Sequence, residues 1–172
     1  MEPPKRYITT HDTAGKAVFS RLFEEELVTY EIPGMKYFEA YKTPQAPIAL
    51  NDESDLKFME SRAHEDKNIT FPDPGATTLR YCDWAPGGYA PLHRHETIDF
   101  AIVIYGEIEA TLDSGDTRRL KAGDCLIQRN TLHAWRNPSE TEFARVVFVI
   151  QGCKPVKIGD REMKQDLGEF VK

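Results

Sequence analysis

The amino-acid sequence predicts an all-β sandwich or barrel. From Thr77 onward, strand-like runs recur at short intervals, and Gly, Asp and Asn residues stand between them. Short strands joined by tight turns leave this signature in a sequence. In the longest run, 97–105, the face that does not carry Asp99 is also apolar, because Phe100, Ile102 and Ile104 lie on it. We expect this strand to be covered on both faces, by a second sheet and by a partner subunit.

The first 76 residues are expected to contain short strands followed by a polar connection. Four runs have strand character, and a turn at 12–16 separates the first two. These runs are 6–10, 17–23, 27–32 and 37–41. Within the polar stretch 51–75 we expect one short helix at about 55–63. His64 follows it among charged residues, which favours a surface position over a role as a metal ligand.

The remainder of the chain is expected to form the barrel core and a tail. Seven runs in it predict strands: 78–84, 97–105, 107–112, 118–120, 125–128, 132–136 and 143–150. In the tail, Met163 and Leu167 are spaced i, i+4, which predicts a short C-terminal helix over 159–170 that docks through these two side chains. We treat 1–172 as a single domain, with N-terminal strands and connection at 1–76, the barrel core at 77–151 and the tail at 152–172.

The composition restricts the partners and the compartment. The 172 residues carry 22 basic and 28 acidic side chains, and no basic cluster with interleaved aromatic residues, so nucleic acid is not an expected partner. No apolar run approaches the roughly 20 residues of a membrane span, and the N-terminus lacks the apolar region of a signal peptide. Three widely spaced cysteines fit a reducing compartment. We therefore expect a cytoplasmic protein that does not contact membranes.

Histidines and one carboxylate form a candidate metal site. His93, His95 and Asp99 share one parity, so an unbroken strand would point all three at the same face. A turn at 129–131 precedes His133, which can supply a third imidazole if its strand lies beside that of His93. Imidazoles and a carboxylate suit a divalent transition metal: Fe, Mn, Zn, Ni or Cu.

Two segments of the sequence carry a family resemblance. In the first, 87–106, Gly87 precedes His93-Arg94-His95, Asp99 and Gly106 at fixed spacings; the second, 123–137, contains a turn glycine and aspartate, His133 and a closing Asn137. Together they resemble the two motifs of the cupin superfamily, and the chain is similar to small bacterial and fungal cupins of unassigned chemistry.

The resemblance implies a fold and a ligand set. The implied fold is a double-stranded β-helix, also called a jelly roll, over about 77–151. The implied metal ligands are His93, His95, the acidic position at Asp99, and His133. The sequence departs from the family pattern at Asp99, where glutamate is usual, and at Gln128 and Asn130, where proline and glycine are common. The shorter Asp99 leaves three roles open: a metal ligand, a group that orients a ligand, or a catalytic general base.

Further residues are candidates for the substrate pocket. Trp135 shares the parity of His133 and can form a wall of the pocket or belong to the core. Tyr105 is a weaker candidate for the same role, and it could, like Gln128, fix the tautomer of a histidine. Arg145 can anchor a substrate carboxylate or form a salt bridge at the edge of the barrel. We expect Cys125 to be a buried thiol without a catalytic role.

These observations favour a metal-dependent enzyme that acts on a small-molecule substrate. The favoured chemistry is that of a lyase or isomerase, a decarboxylation or dehydration, on a small organic acid or an aromatic or polyketide acid. A non-haem dioxygenase is the first alternative, and a ligand-binding cupin without catalysis is the second. Secondary metabolism is the expected context. A homodimer is expected, because the N-terminal strands require a partner strand.

Overall fold

The computed structural model describes residues 1–63 and 69–169 of the chain. Most of the regular structure in these residues is β-strand. The strands, in chain order, are β1 (Thr9–His11), β2 (Ala17–Phe19), β3 (Tyr30–Ile32), β4 (Met35–Thr43), β5 (Thr77–Trp84), β6 (Tyr89–His93), β7 (Thr97–Tyr105), β8 (Glu107–Leu112), β9 (Thr117–Lys121), β10 (Cys125–Arg129), β11 (His133–Arg136), β12 (Ala144–Gly152), β13 (Lys157–Ile158) and β14 (Arg161–Glu162).

One α-helix, α1 (Ser54–Arg62), follows a 3₁₀ turn at Asn51–Glu53, which confirms the helix predicted at about 55–63. Its buried side chains include Leu56 and Met59, so it docks through a small apolar face. No helix in 1–63 or 69–169 combines the length and the apolar character that crossing a bilayer requires. The predicted surface position of His64 falls outside the described residues.

Two antiparallel sheets form the body of the fold, as the predicted jelly roll requires. The larger sheet has six strands in the order β10-β7-β12-β5-β4-β3, and the smaller has four in the order β6-β11-β8-β9. The N-terminal strands β3 and β4 extend the larger sheet beyond the core strands. Two short hairpins, β1-β2 and β13-β14, lie outside these sheets.

The hydrophobic core lies between the two sheets. Trp84, Val146 and Phe148 contribute to it from the larger sheet, and Ile108 and Trp135 from the smaller. Along β12 buried residues alternate with half-exposed ones, because successive side chains of a strand point to opposite faces. This alternation decides which side chains of the larger sheet reach the interior, where the candidate site lies.

The outer face of the larger sheet is apolar and partly bare. Phe100, Ile102 and Ile104 of β7 are 37%, 38% and 47% exposed, so no second sheet covers them. Ile127 lies opposite Phe100 on β10, and it is also exposed. Cys125 lies opposite Ile102 on the same strand and is exposed, so the prediction of a buried thiol is wrong.

Gly106 lies between β7 and β8 and has a backbone conformation that other residues rarely adopt. Its φ is 68°, and a Cβ at this position would lie 2.4 Å from the carbonyl oxygen of Phe143. Both conditions favour glycine. The last glycine of the first motif therefore has a structural reason: it lets the chain pass from the larger sheet into β8 of the smaller sheet.

The C-terminal helix predicted over 159–170 is not formed in 159–169, the part of it that the structure describes. In the described part of 159–170 the chain forms the β13-β14 hairpin, with Gly159 in its turn at a φ of 58°. Asp166 then exchanges two backbone hydrogen bonds with Arg94, of 2.7 and 2.8 Å. These long-range bonds satisfy groups that a helix would pair internally, and an isolated helix of this length is marginally stable. Phe170 lies outside the described residues.

Candidate metal centre

The first motif changes sheets between its two histidines. His93 ends β6 in the smaller sheet, and Thr97 begins β7 in the larger one, so His95 lies on the segment that crosses between the sheets. The unbroken strand that would align His93, His95 and Asp99 is therefore not formed. His133 begins β11 and pairs directly with His93. Strand pairing thus sets two of the histidines side by side, and the crossing segment adds the third.

The three histidines form a compact buried cluster. His93, His95 and His133 are each less than 5% exposed, and each offers a ring nitrogen within 4.8 Å of those of the other two. The distances between ring centroids are 4.2 Å for His93 and His133, 5.3 Å for His95 and His133, and 5.6 Å for His93 and His95. Such a group can hold one metal ion.

Hydrogen bonds at Nδ1 select the same tautomer in all three rings. Nδ1 of His93 lies 2.7 Å from the carbonyl oxygen of Pro91, and Nδ1 of His133 lies 2.8 Å from that of Thr131. A carbonyl only accepts, so Nδ1 of both rings carries the proton. Nδ1 of His95 contacts the hydroxyl oxygen of Thr97, which donates its own proton elsewhere and therefore accepts from His95. Nε2 then carries the lone pair in each ring.

Burial keeps the imidazoles neutral. It lowers the pKa of His95 to about 2, and the neighbouring His133 and His93 lower it in the same direction. It lowers the pKa of His133 to about 3, again helped by His93. The pKa of His93 is also lowered by burial, against a smaller opposing effect of the bond to Pro91. Neutral imidazoles are the form that binds metal ions.

Gln128 provides a further test of whether a cation fits this cluster. Its side-chain amide contacts both ring nitrogens of His133, and its Nε2 lies 2.7 Å from Nε2 of that ring. Its Oε1 is buried and has no hydrogen-bond partner among the described residues. The amide N–H is a donor, so it occupies the lone pair of His133 Nε2, and a metal ion bound at that nitrogen would replace this hydrogen bond. Three neutral imidazoles with ring nitrogens within 4.8 Å of one another are nevertheless a donor set that a divalent cation takes. The donor set therefore fits a divalent transition metal and leaves coordination positions for water or substrate.

Asp99 lies on the wall of the same pocket but is not part of the three-histidine cluster. Its Oδ1 accepts the Thr97 hydroxyl at 2.6 Å, and its Oδ2 lies 3.5 Å from Nδ1 of His95. Burial raises the pKa of this carboxyl to about 7, although the bond from Thr97 opposes the shift. One carboxylate oxygen is thus engaged in a chain that runs from Asp99 through Thr97 to His95.

The pocket beside the histidines is small and mostly apolar. Its cavity volume is about 30 Å³, and its mouth is open to solvent. Trp135 forms part of its wall and is also part of the core, so both roles considered for it are combined. Phe71 stacks on His95 with a centroid distance of 3.9 Å. A pocket with these walls suits a small, flat organic molecule.

Tyr105 and Arg145 do not reach this pocket. Tyr105 is at the end of β7 and is 48% exposed, so it contacts none of the histidines as a wall or as an orienting group. Arg145 has the parity of the outer face of β12, and its Nε and Nη2 donate to the two carboxylate oxygens of Asp83 at 2.5 and 2.6 Å. Arg145 thus forms a salt bridge, as considered for it, but this salt bridge joins the neighbouring central strands β12 and β5 and does not lie at an edge.

Sequence reasoning missed a different arginine that lines the pocket, Arg80. It lies on β5 and shares its parity with Cys82 and Trp84, which face the interior. The sequence carries one signal for this residue: an arginine stands at a position of β5 whose neighbours Cys82 and Trp84 on the same face are apolar. Charged side chains are rarely buried without a partner, so such a position is unusual for arginine.

Asn130 and the tail hold the crossing segment in place. Asn130 has a φ of 52°, in the left-handed region where the family commonly has glycine. Its amide Nδ2 donates to the carbonyl oxygen of His95 at 2.8 Å, and its Oδ1 accepts the backbone N–H of Val156 at 3.0 Å. On the other side, Nε of Arg94 donates to the carbonyl oxygen of Lys164 at 2.8 Å.

Comparisons with known proteins identify the family. The family model described as "Cupin domain" matches residues 80–162. The chain is 31% identical to the cupin-domain-containing oxidoreductase srdB of Neurospora crassa, over 100% of this chain and 85% of the relative. This chain belongs to the cupin family. The cupin is also 40% identical to Phomopsin biosynthesis cluster protein C' of Diaporthe leptostromiformis, over 92% of its length and 83% of the relative.

A solved structure supports the fold of this cupin. The cupin domain of Schizosaccharomyces pombe Cnp3 superposes with a TM-score of 0.53 over 87% of this chain and 88% of that domain. The sequence identity between the two is 11%, so the comparison concerns the fold alone.

Proposed function

We propose that this cupin is a metal-dependent oxidoreductase that acts on a small organic acid in secondary metabolism. The observation that carries the proposal is the cluster of three neutral, buried histidines, each with its lone pair on Nε2. The names of two relatives support the oxidoreductase activity and the place in secondary metabolism. The Neurospora relative is called an oxidoreductase, and the Diaporthe relative is a biosynthesis cluster protein.

The residues of the chain have distinct proposed roles in this activity. His93, His95 and His133 hold the metal, and Asp99 fixes His95 through the hydroxyl of Thr97. An iron or copper ion bound there would supply one-electron chemistry and activation of dioxygen, which zinc could not. Trp135 and the apolar walls orient the substrate and exclude water from the reacting atoms.

A lyase or isomerase remains the second candidate, because the pKa of Asp99 is raised to about 7. A carboxyl that titrates near neutral pH is suited to general acid or base catalysis. Against this, one oxygen of Asp99 already accepts the Thr97 hydroxyl, and the other lies 3.5 Å from His95. A group engaged in orienting a metal ligand is less available to move a substrate proton, which favours the redox proposal.

Elemental analysis of the protein as purified tests the metal centre and its chemistry. We expect about one equivalent of iron, copper or manganese per chain, and its loss in His93→Ala and His133→Ala. His11→Ala is the matched control, because His11 is exposed and lies on β1. Unchanged metal in both site variants would contradict the ligand assignment. Zinc alone would favour the lyase, and protein without metal would favour a binding protein without catalysis.

We also propose a homodimer that covers the outer face of the larger sheet. Phe100, Ile102, Ile104 and Ile127 expose a contiguous apolar patch there, and such patches mark interaction sites. Size-exclusion chromatography with light scattering should give twice the mass of one chain, and Ile102→Lys should shift the protein to the monomer. Val28→Lys, at an exposed position on no strand, is the control. A monomeric wild type would contradict this assembly.

A further inference from the structure

Arg80 is a buried cation in the wall of the metal pocket. Its side chain is 2% exposed, and it lines the same cavity as His95 and Asp99. Most other side chains of that cavity are apolar or aromatic. A guanidinium taken out of water is costly unless it is paired, so its presence at this place requires a structural or a functional reason.

Glu39 and a backbone carbonyl account for part of the guanidinium. Nε and Nη2 of Arg80 donate to Oε1 of Glu39 at 2.8 and 2.5 Å, and Nη2 also donates to the carbonyl oxygen of Thr70 at 2.6 Å. None of these three bonds uses Nη1. Glu39 is not among the described residues that line the pocket. It holds the edge of the guanidinium formed by Nε and Nη2, and it leaves Nη1 at the other edge available to a different partner.

Aromatic rings fix the orientation of this group. The guanidinium carbon of Arg80 lies 5.5 Å from the ring centre of Tyr37 and 5.6 Å from that of Phe71. Phe71 also stacks on His95, so the same ring contacts both the arginine and a proposed metal ligand. Burial alone would lower the pKa of Arg80, but Glu39, Cys82 and Tyr37 together more than offset this effect, so the side chain stays charged. The result is a charged donor held rigidly beside the three histidines.

We propose that Arg80 is the residue that determines substrate class, by donating from Nη1 to the carboxylate of a small organic acid bound in this pocket. The assignment rests on the proposed function insofar as it takes this cavity to be the substrate site. A charged donor forms a stronger hydrogen bond with a carboxylate than with a neutral carbonyl. A buried polar group left unpaired by the wrong substrate also costs free energy, so Arg80 selects acids over their neutral analogues.

Benzoate and benzamide are suitable probes, because they have the same shape and differ in charge. Trp84 and Trp135 line the pocket, so their fluorescence should report binding of either compound. We expect the wild-type protein as purified to bind benzoate at least about tenfold more tightly than benzamide. The double variant Arg80→Gln/Glu39→Gln removes both partners of the buried pair together, and it should lose this preference.

Glu39→Gln alone supplies a second measurement. It keeps Arg80 and removes the charge that compensates it, so benzoate affinity should rise severalfold while benzamide affinity is unchanged. Equal binding of the two probes by the wild type, a preference retained in the double variant, or unchanged or weaker benzoate binding by Glu39→Gln would each overturn the assignment.

Metal content of the same samples separates this assignment from the proposed function. If the wild type holds no metal but its preference for benzoate depends on Arg80, the metal-dependent function fails and the role of Arg80 stands. If metal is present and the preference does not depend on Arg80, the role of Arg80 alone is overturned.

Discussion

Thr97 joins two candidate functional side chains through a single hydroxyl. Its Oγ1 accepts from Nδ1 of His95 and donates to Oδ1 of Asp99, and the residue is 2% exposed. No solvent is available to replace either bond. The hydroxyl therefore fixes the tautomer of His95 and determines which Asp99 oxygen is engaged.

Thr97→Val tests this role because valine keeps the shape of threonine and removes the hydroxyl. We expect metal affinity to fall by about 10- to 100-fold, since His95 is no longer held in one tautomer. The free energy of unfolding should fall by about 1–3 kcal/mol, because buried polar groups lose their partners. Competition with a chelator and urea denaturation measure the two effects. Thr97→Ser, which keeps the hydroxyl, is the control, and equal metal affinity in the two variants would contradict the prediction.

At the scale of the element, the crossing segment 94–96 determines whether the site forms. It belongs to neither sheet, so the ladders of the sandwich do not hold it. Asn130 binds it through the carbonyl of His95, and the tail binds it through Arg94 and through Glu96, whose Oε1 accepts the backbone N–H of Gln165 at 3.0 Å. His95 is thus positioned by residues distant in the sequence.

Two substitutions at Asn130 separate its backbone role from its side-chain role. Asn130→Gly and Asn130→Ala both remove the hydrogen bonds to His95 and Val156, so both should bind metal more weakly. Alanine is also strained at a φ of 52°, so its free energy of unfolding should be lower than that of the glycine variant by about 1 kcal/mol. Urea denaturation measures this difference, and two equally stable variants would contradict the left-handed backbone at this position.

At the scale of the whole molecule, the buried histidines link global stability to pH. The unfolded chain binds protons at imidazoles below about pH 6.5. In the folded chain the pKa is lowered to about 2 for His95 and about 3 for His133, and it is lowered for His93 as well. Stability contributed by these groups is present above pH 6.5 and is lost as the pH falls toward their folded pKa values. Between about pH 4 and 7 Asp99 has the opposite effect on the free energy of unfolding, because its pKa is higher in the folded chain than in the unfolded chain. Three imidazoles against one carboxyl leave a net loss on acidification.

We therefore expect metal-free protein to lose stability steeply below pH 6.5, by up to about 1.4 kcal/mol per pH unit for each histidine. Urea denaturation of chelator-treated protein between pH 7 and 4.5 measures this slope. The double variant His93→Gln/His133→Gln should give a flatter dependence, because two of the three imidazoles are absent. Parallel slopes for the variant and the wild type would contradict neutral, buried histidines in the folded state.

The sequence by itself predicted the β-sandwich, the helix near residues 55–63 and the three histidines. Each prediction rests on short-range information. Strand and turn patterns repeat within about ten residues, and the spacing of His93, His95 and His133 matches two local motifs. Even where His95 left the strand, the three rings still converged, because β6 and β11 pair His93 with His133 and the crossing segment is short.

Only the tertiary structure decided which arginine lies at the pocket and how the tail folds. The position of a residue along a strand predicts which face of the sheet it lies on but not which residue it contacts. Arg145 pairs with Asp83 on the outer face. Arg80 pairs at the pocket wall with Glu39, which lies 41 positions earlier in the sequence. The spacing of Met163 and Leu167 indicated a helix, but backbone bonds to Arg94 favoured an extended tail. Contacts between residues distant in the sequence determine both outcomes. The local pattern of β5 indicates that Arg80 faces the interior, but it does not identify Glu39 as the partner or place the pocket beside it.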